Sequence, residues 1–207
     1  WEVAGGGGGV ARSDDGGDSF RVLEGLAGRP VRGLALAASN PAVAVVGTQV
    51  GVFRSDDDGA TWGRISPEGH ADLKNVGSVA LDPQDDAVVY AGTWHLPWKS
   101  GDAGRSWRPA HAGMIDDSDV MTLTVDRRSR QTVYATACSG IYRSADGAAR
   151  WAKIRGIPGS SRRTRALAQD PEQPATFYAG TTGGLWRSSD DLGSWSLLTP
   201  RELVVNA

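Results

Sequence analysis

The chain has a single cysteine, Cys138, among 207 residues. One thiol excludes an internal disulfide and any metal cage built from cysteines. No run of 18 apolar residues exists, which excludes a membrane-spanning helix. Charge of one sign is also lacking: 22 Lys and Arg against 24 Asp and Glu leave a net charge of -2. So even a balance makes the chain a poor candidate for electrostatic capture of nucleic acid or anionic lipid. The N-terminus has neither the charged nor the apolar region of a secretory signal. It begins with Trp1 rather than Met, which reads as a processed, trimmed or engineered chain. What is abundant is equally telling: 28 Gly, ten Pro and eight Trp. Many tight turns and a few repeated large anchors describe an all-β protein, not a helical bundle.

A repeat organises the sequence. Five segments align without gaps: SDDGGDSF at 13–20, SDDDGATW at 55–62, SGDAGRSW at 100–107, SADGAARW at 144–151 and SSDDLGSW at 188–195. Their first serines are 42, 45, 44 and 44 residues apart, a period that belongs to blades or solenoids. Ahead of each later box runs a β-rich stretch, such as AVAVVGT or ATFYAGT, and ahead of that an alternating strand, such as VRGLALA or VGSVALD. Gly, Pro and Asx clusters separate them, and no stretch carries a 3.6-residue period. Each period therefore holds four short antiparallel strands, A to D (31–37, 42–47, 50–54 and 61–65 in the second).

Four strands per 44 residues predict a β-propeller. The chain opens inside strand B of the first blade and the count gives five blades: 1–25 completed by 203–207, then 31–66, 75–110, 119–155 and 163–199. The tail segment Leu203-Val204-Val205-Asn206 matches the start of an A strand and is expected to close the ring. The alternative is a piece of a ring of six to eight blades.

The box falls at the turn between strands C and D. Its hydroxyls and carboxylate suit Asx and Ser/Thr turns, which predicts structural roles for Ser13 and Asp15, Ser55, Asp57 and Trp62, Ser100, Asp102 and Trp107, Ser144, Asp146 and Trp151, and Ser188, Asp190 and Trp195. Gly17, Gly59 and Gly104 supply a positive φ, whereas Ala148 and Leu192 stand there in the last two boxes and predict strain. The aromatic is expected to anchor neighbouring sheets. The acidic run 56–58 does not continue as a calcium loop, since Pro67 stands where a ligating Glu is needed.

These boxes resemble the Asp-box (BNR) repeat over residues 1–199. That repeat is found in sialidases, sortilin-type receptors, xyloglucanases and photosystem II assembly-factor propellers; bacterial glycosyl hydrolase-like proteins carry boxes that look most similar. The resemblance implies a propeller with its boxes opposite the ligand face and an extracellular or periplasmic location. It does not imply one chemistry.

Function is expected where blades depart from the repeat, on the face formed by the B–C and D–A loops. The third blade's B–C loop reads GTWHLPW, adding Trp94 and His95; Trp98 aligns with Phe53, Tyr142 and Trp186 and is scaffold. The D–A loops carry acids (Asp116, Asp117, Asp119), bases (Arg162, Arg163, Arg165) and the mixed stretch 68–75. Either the acids and bases pair with each other, or they form with Trp94 and His95 a pocket for a glycan or protein segment. A sialidase needs a free Tyr nucleophile, but Tyr90, Tyr134 and Tyr178 repeat every 44 residues and Tyr142 sits on a C strand. A general glycosidase needs two carboxyls, for which Glu68 with Asp117 or Asp119 are the candidates. No nucleophile elbow, HExxH or phosphate loop occurs, and no cofactor or metal is expected. The reading is a monomeric, non-catalytic binding or scaffold propeller, partnered by a glycan or protein segment rather than nucleic acid or membrane. A glycoside hydrolase is one alternative; a ligand-free trimmed or engineered propeller is another.

Overall fold

A computed structural model describes residues 2–6, 8–115, 119–161 and 163–206. The chain is all-β apart from 3-10 turns at Glu24–Leu26 and Gly159–Ser161. Five antiparallel sheets follow one another in sequence. The first has three strands, β1 (Glu2–Gly6), β2 (Gly9–Ser13) and β3 (Arg21–Leu23). The second has four: β4 (Val31–Leu36), β5 (Ala44–Thr48), β6 (Gly51–Ser55) and β7 (Gly63–Arg64). The third comprises β8 (Ser78–Asp82), β9 (Asp85–Gly92), β10 (Pro97–Ser100) and β11 (Arg108–Pro109). The fourth comprises β12 (Val120–Val125), β13 (Val133–Ala137), β14 (Gly140–Ser144) and β15 (Ala152–Lys153). The fifth comprises β16 (Thr164–Gln169), β17 (Phe177–Thr181), β18 (Gly184–Ser188) and β19 (Ser196–Leu197). Strand order within every four-stranded sheet follows the chain, as in a propeller blade.

The chain divides into two compact units. One holds Trp1–Trp94 and Trp98–Arg108, the other His95–Pro97 and Pro109–Ala207. In the first, Val43, Val45, Val52, Leu73, Val76 and Val89 form a buried cluster. In the second, Tyr134, Ile141, Leu167, Phe177 and Trp186 pack together. Alternation of β-branched and aromatic residues on the B and C strands supplies both clusters, because successive side chains face opposite sides of a strand. Three of the four scaffold tyrosines, Tyr90, Tyr134 and Tyr142, are at most 2% exposed, in keeping with core positions rather than a nucleophile.

The register repeats as closely as the sequence does. Thr48 pairs with Gly51 at the B–C turn of the second sheet, and Thr181 with Gly184 in the fifth. Each Thr hydroxyl closes its turn by donating to that glycine's carbonyl at 2.9 Å. The innermost strands of sheets two, four and five slip register at their second residue, which places Arg32, Met121 and Arg165 at a bulge.

Adjoining sheets are clasped by the penultimate residue of strand C. Arg12 reaches Asp58 at 3.2 Å, Arg54 reaches Asp86 at 3.0 Å, and Arg143 reaches Asp191 at 3.6 Å. Lys99 at the same position lies over the Tyr90 ring, 5.0 Å from its centroid. A second clasp joins sheets four and five. Buried Asp126 accepts from Arg128, from Tyr134 Oη at 2.8 Å and from Gln169 Nε2 at 3.2 Å, and Arg128 also reaches Asp191 at 2.6 Å. Burial opposes the charge on Asp126, but the hydrogen bonds from Arg128 and then Tyr134 bring its pKa down to about 2.

One expectation is corrected. Residues 203–206 do not form the fourth strand of the first sheet. Val205 instead donates its N–H to Thr181 O at 3.0 Å, and its side chain packs against Gly180. This repeats Val76, which donates to Thr48 O at 2.9 Å and covers Gly47. The backbone donor at this position is satisfied by the preceding B strand, as it is where the chain enters β8.

Candidate functional site

The five boxes share one hydrogen-bond scheme. The Ser hydroxyl donates to the Asp carboxylate (2.7 Å from Ser13 to Asp15, 2.8 Å from Ser100 to Asp102) and accepts the N–H four residues on (2.8 Å from Gly17 and from Gly104). The Asp then accepts the N–H of the seventh box residue, 2.8 Å from Ser106 and 2.9 Å from Ser194. Hydroxyl hydrogen bonds from Ser106 and Ser194 are the leading cause that holds Asp102 and Asp190 at about 2. The same cause, from Ser19 and Thr61, lowers Asp15 and Asp57; the backbone N–H of Arg150 lowers Asp146. Every box carboxylate is thus occupied by its own turn.

Two successive positive φ angles complete each turn. Gly59 has φ 82° and Gly104 has φ 89°; Ala148 at 68° and Leu192 at 71° adopt the same conformation without glycine's freedom, as expected. The box aromatics are less uniform. Trp107 Nε1 donates to Ile65 O at 2.8 Å and Trp151 Nε1 to Ala110 O at 2.7 Å, so both anchor to the segment after the preceding D strand. Trp62 donates within its own box, to Gly59 O at 3.1 Å. Trp195 packs in the core of the second unit with its Nε1 buried and unbonded, and Phe20 is 51% exposed.

Hydrogen bonds also sort the loops into two sides. The fourth box residue donates to the start of strand B: Asp58 to Ala42 O, Ala103 to Ala87 O, Gly147 to Gln131 O and Asp191 to Ala175 O. In each of these sheets the box and the A–B turn therefore share one side. On the other side, Asn75 donates to Gln49 O at 2.8 Å and Thr182 to Arg163 O at 3.2 Å, tying D–A loops to B–C turns.

That second side carries a hollow of about 530 Å³ in the first unit. The B–C turn contributes Gln49 and Val50, and β7 contributes Arg64. The loop from β7 to β8 contributes Glu68, Gly69, His70, Lys74 and Asn75. Arg64 is held by the carbonyls of Val50 and Pro67, with Glu68 at 4.0 Å. His70 Nδ1 accepts the N–H groups of Asp72 (3.2 Å) and Leu73 (3.0 Å), which puts the neutral ring's proton on Nε2. Its ring stands edge-on to Trp98, centroids 4.8 Å apart. Gly69 (φ 66°) and Asn75 (φ 48°) bracket the loop in left-handed backbone, a conformation these two residue types tolerate. A smaller hollow of about 160 Å³ occupies the corresponding junction of the second unit, between Ser139, Ile154, Ile157 and Trp195.

Of the residues expected at the site, Glu68 lines the large hollow as its one carboxylate, with its side chain 94% exposed. Trp94 is 42% exposed in the first unit; His95, in the second, is half-buried. Asp119, Arg163 and Arg165 are exposed at the entry ends of β12 and β16, which adjoin where Thr122 Oγ1 donates to Arg165 O. Asp116, Asp117 and Arg162 lie outside the described residues. Gln49, Val50 and Arg64 were not anticipated. Gln49 and Val50 lie in GTQVGVF, which matches the other B–C turns, and Arg64 lies on β7; what distinguishes this junction is the length of the loop that follows β7.

No family model matches the chain, and no curated protein does. Solved structures do. An ancestral GH74 enzyme superposes with a TM-score of 0.72 at 20% identity, covering 93% of this chain and 28% of that one. The GH74 xyloglucanase from Xanthomonas campestris gives 0.71 at 24%, covering 92% and 34%. The extracellular domain of a hybrid two-component system from B. thetaiotaomicron gives 0.72 at 16%, covering 95% and 25%. The chain thus spans about a quarter to a third of these proteins, and at such identities the likeness is one of fold, that of β-propeller, glycosyl hydrolase-like proteins.

Proposed function

We propose that this chain is a non-catalytic binding propeller of Asp-box blades whose B–C/D–A side takes a glycan. The observation that carries this reading is the 530 Å³ hollow on the side away from the boxes, a size within the range of small-ligand sites of about 300–1,000 Å³. Its lining supports binding over hydrolysis. A glycosidase needs a pair of carboxyls across the scissile bond, and Glu68 is the one acid among the described lining residues. A glycan suits the neighbours too: one is a xyloglucanase and another an extracellular domain, which also favours a periplasmic or extracellular setting.

The five repeats are five blades of one propeller in this proposal, and the Val205 N–H bond to Thr181 O, which repeats that of Val76 to Thr48 O, is consistent with it. Trp94 in the first unit and, separately, His95, Asp119, Arg163 and Arg165 in the second, with Asp116, Asp117 and Arg162, are proposed as further ligand contacts on the same type of loop. The protein works as a monomer without a cofactor.

Binding of a glycan array by wild type, His70→Ala and Trp94→Ala tests the reading. Glycan binding lost in His70→Ala, with the melting temperature kept, is expected. Hydrolysis of a bound glycan that Glu68→Gln abolishes would overturn the non-catalytic assignment.

A further inference from the structure

We infer that the large hollow selects an anionic glycan, one bearing a carboxylate such as a uronate, with the Lys74 ammonium as its counter-ion. The inference rests on the glycan reading above and narrows it.

The argument starts from which polar groups are already committed. Arg64 spends its guanidinium on the carbonyls of Val50 and Pro67 and on Ser66 Oγ, and Glu68 at 4.0 Å offsets its charge. His70 spends Nδ1 on two loop N–H groups, so the neutral ring keeps only an N–H donor at Nε2. Lys74 is exposed, lines the hollow, and among the described residues forms no ion pair or hydrogen bond. Asp72, two residues away, neither lines the hollow nor forms an ion pair with Lys74 among those residues. The side-chain amides of Gln49 and Asn75 are likewise uncommitted.

Counting charge, Arg64 and Glu68 cancel and Lys74 is left over. Counting hydrogen bonds, the uncommitted groups are mostly donors. A neutral sugar hydroxyl both donates and accepts, so it gains no particular advantage here. A carboxylate only accepts, and hydrogen bonds to an ionised group are roughly twice as strong as neutral ones. Lysine acts as a point charge rather than a bidentate fork. The site therefore discriminates by charge more than by the exact placement of the acid, and its preference is screened by salt.

The test is calorimetric titration with uronate oligosaccharides (galacturonate, glucuronate and mannuronate), their methyl esters, and neutral oligosaccharides of equal length. The esters keep shape and remove charge. Binding of an ionised oligomer about two- to fivefold tighter than its ester is expected, in line with one exposed ion pair. Lys74→Gln should erase that ratio, Lys74→Arg should keep it, and 0.5 M salt should shrink it. Lys74 is exposed, so circular dichroism should show both variants folded. Equal binding of acid, ester and neutral sugar would overturn this inference while leaving the glycan reading in place. Binding of none of them by folded protein would overturn both.

Discussion

At Ala148 and Leu192 the chain keeps a turn whose glycine it has lost, and the two positions separate backbone strain from packing. A left-handed conformation costs a non-glycine residue about 1–2 kcal/mol. Ala148 is buried with one methyl, worth about 0.8 kcal/mol. Ala148→Gly should therefore lie within about 1 kcal/mol of wild type. Leu192 is 4% exposed in the core of the second unit. Leu192→Gly should lose about 2 kcal/mol, because its buried side chain outweighs the relief. Urea denaturation of both variants checks the contrast. In the opposite direction, a Cβ at Gly104 would stand 2.5 Å from Ile65 Cβ at φ 89°, so Gly104→Ala should destabilise by about 1–3 kcal/mol. The box carboxylates set an acid limit. Their folded pKa values are depressed, to about 2 for Asp102 and Asp190. A depressed carboxylate contributes stability above its unfolded pKa, near 4, and loses it as pH falls through the folded value. Melting temperature should fall between about pH 4 and pH 2, and less steeply in Asp102→Asn; a slope unchanged in that variant would contradict the assigned role.

Among elements, the C-strand arginine is the recurring joint. Arg54 has an 8% exposed side chain and bonds both Asp56 and Asp86. Arg187 stands at the same position in the fifth sheet with its Nε buried and unbonded. Arg54→Leu should cost about 1–2 kcal/mol by removing charged hydrogen bonds to Asp56 and Asp86, which both keep contact with solvent, whereas Arg187→Leu should cost well under half as much. Equal losses in thermal melts would show that the arginines act through their stems alone. The strands themselves were legible beforehand because period and alternation repeat: β4 to β7 fall within two residues of the expected strands at 31–37, 42–47, 50–54 and 61–65. The clasps were not, since Arg12, Arg54 and Arg143 use acids at different sequence offsets (Asp58, Asp86 and Asp191), and only the approach of two sheets joins them.

For the whole molecule, the tail and the hollow show where sequence reasoning stops. Leu203–Asn206 matches an A strand, but alignment states which position a segment fills, not which sheet it joins; the backbone donor of Val205 goes to Thr181. Deleting 201–207 removes that contact, uncovers Gly180 and takes Arg201 away from the Trp186 ring, so it should lower the melting temperature of the second unit. An unchanged melt would contradict that packing. The box repeat separates the two kinds of loop, and the stretch 68–75 departs from the repeat in the sequence itself. That Glu68, His70 and Lys74 converge with Gln49 and Arg64 depends on the loop being folded by His70 and tied to the B–C turn through Asn75, contacts with no sequence signature. The most direct measurement of the central claim is a backbone NMR titration with the glycan that binds best. The account predicts shift changes clustered at residues 49–50 and 64–75, with the boxes at 55–62 and 100–107 unmoved. Shift changes centred on the boxes, with 64–75 silent, would contradict it.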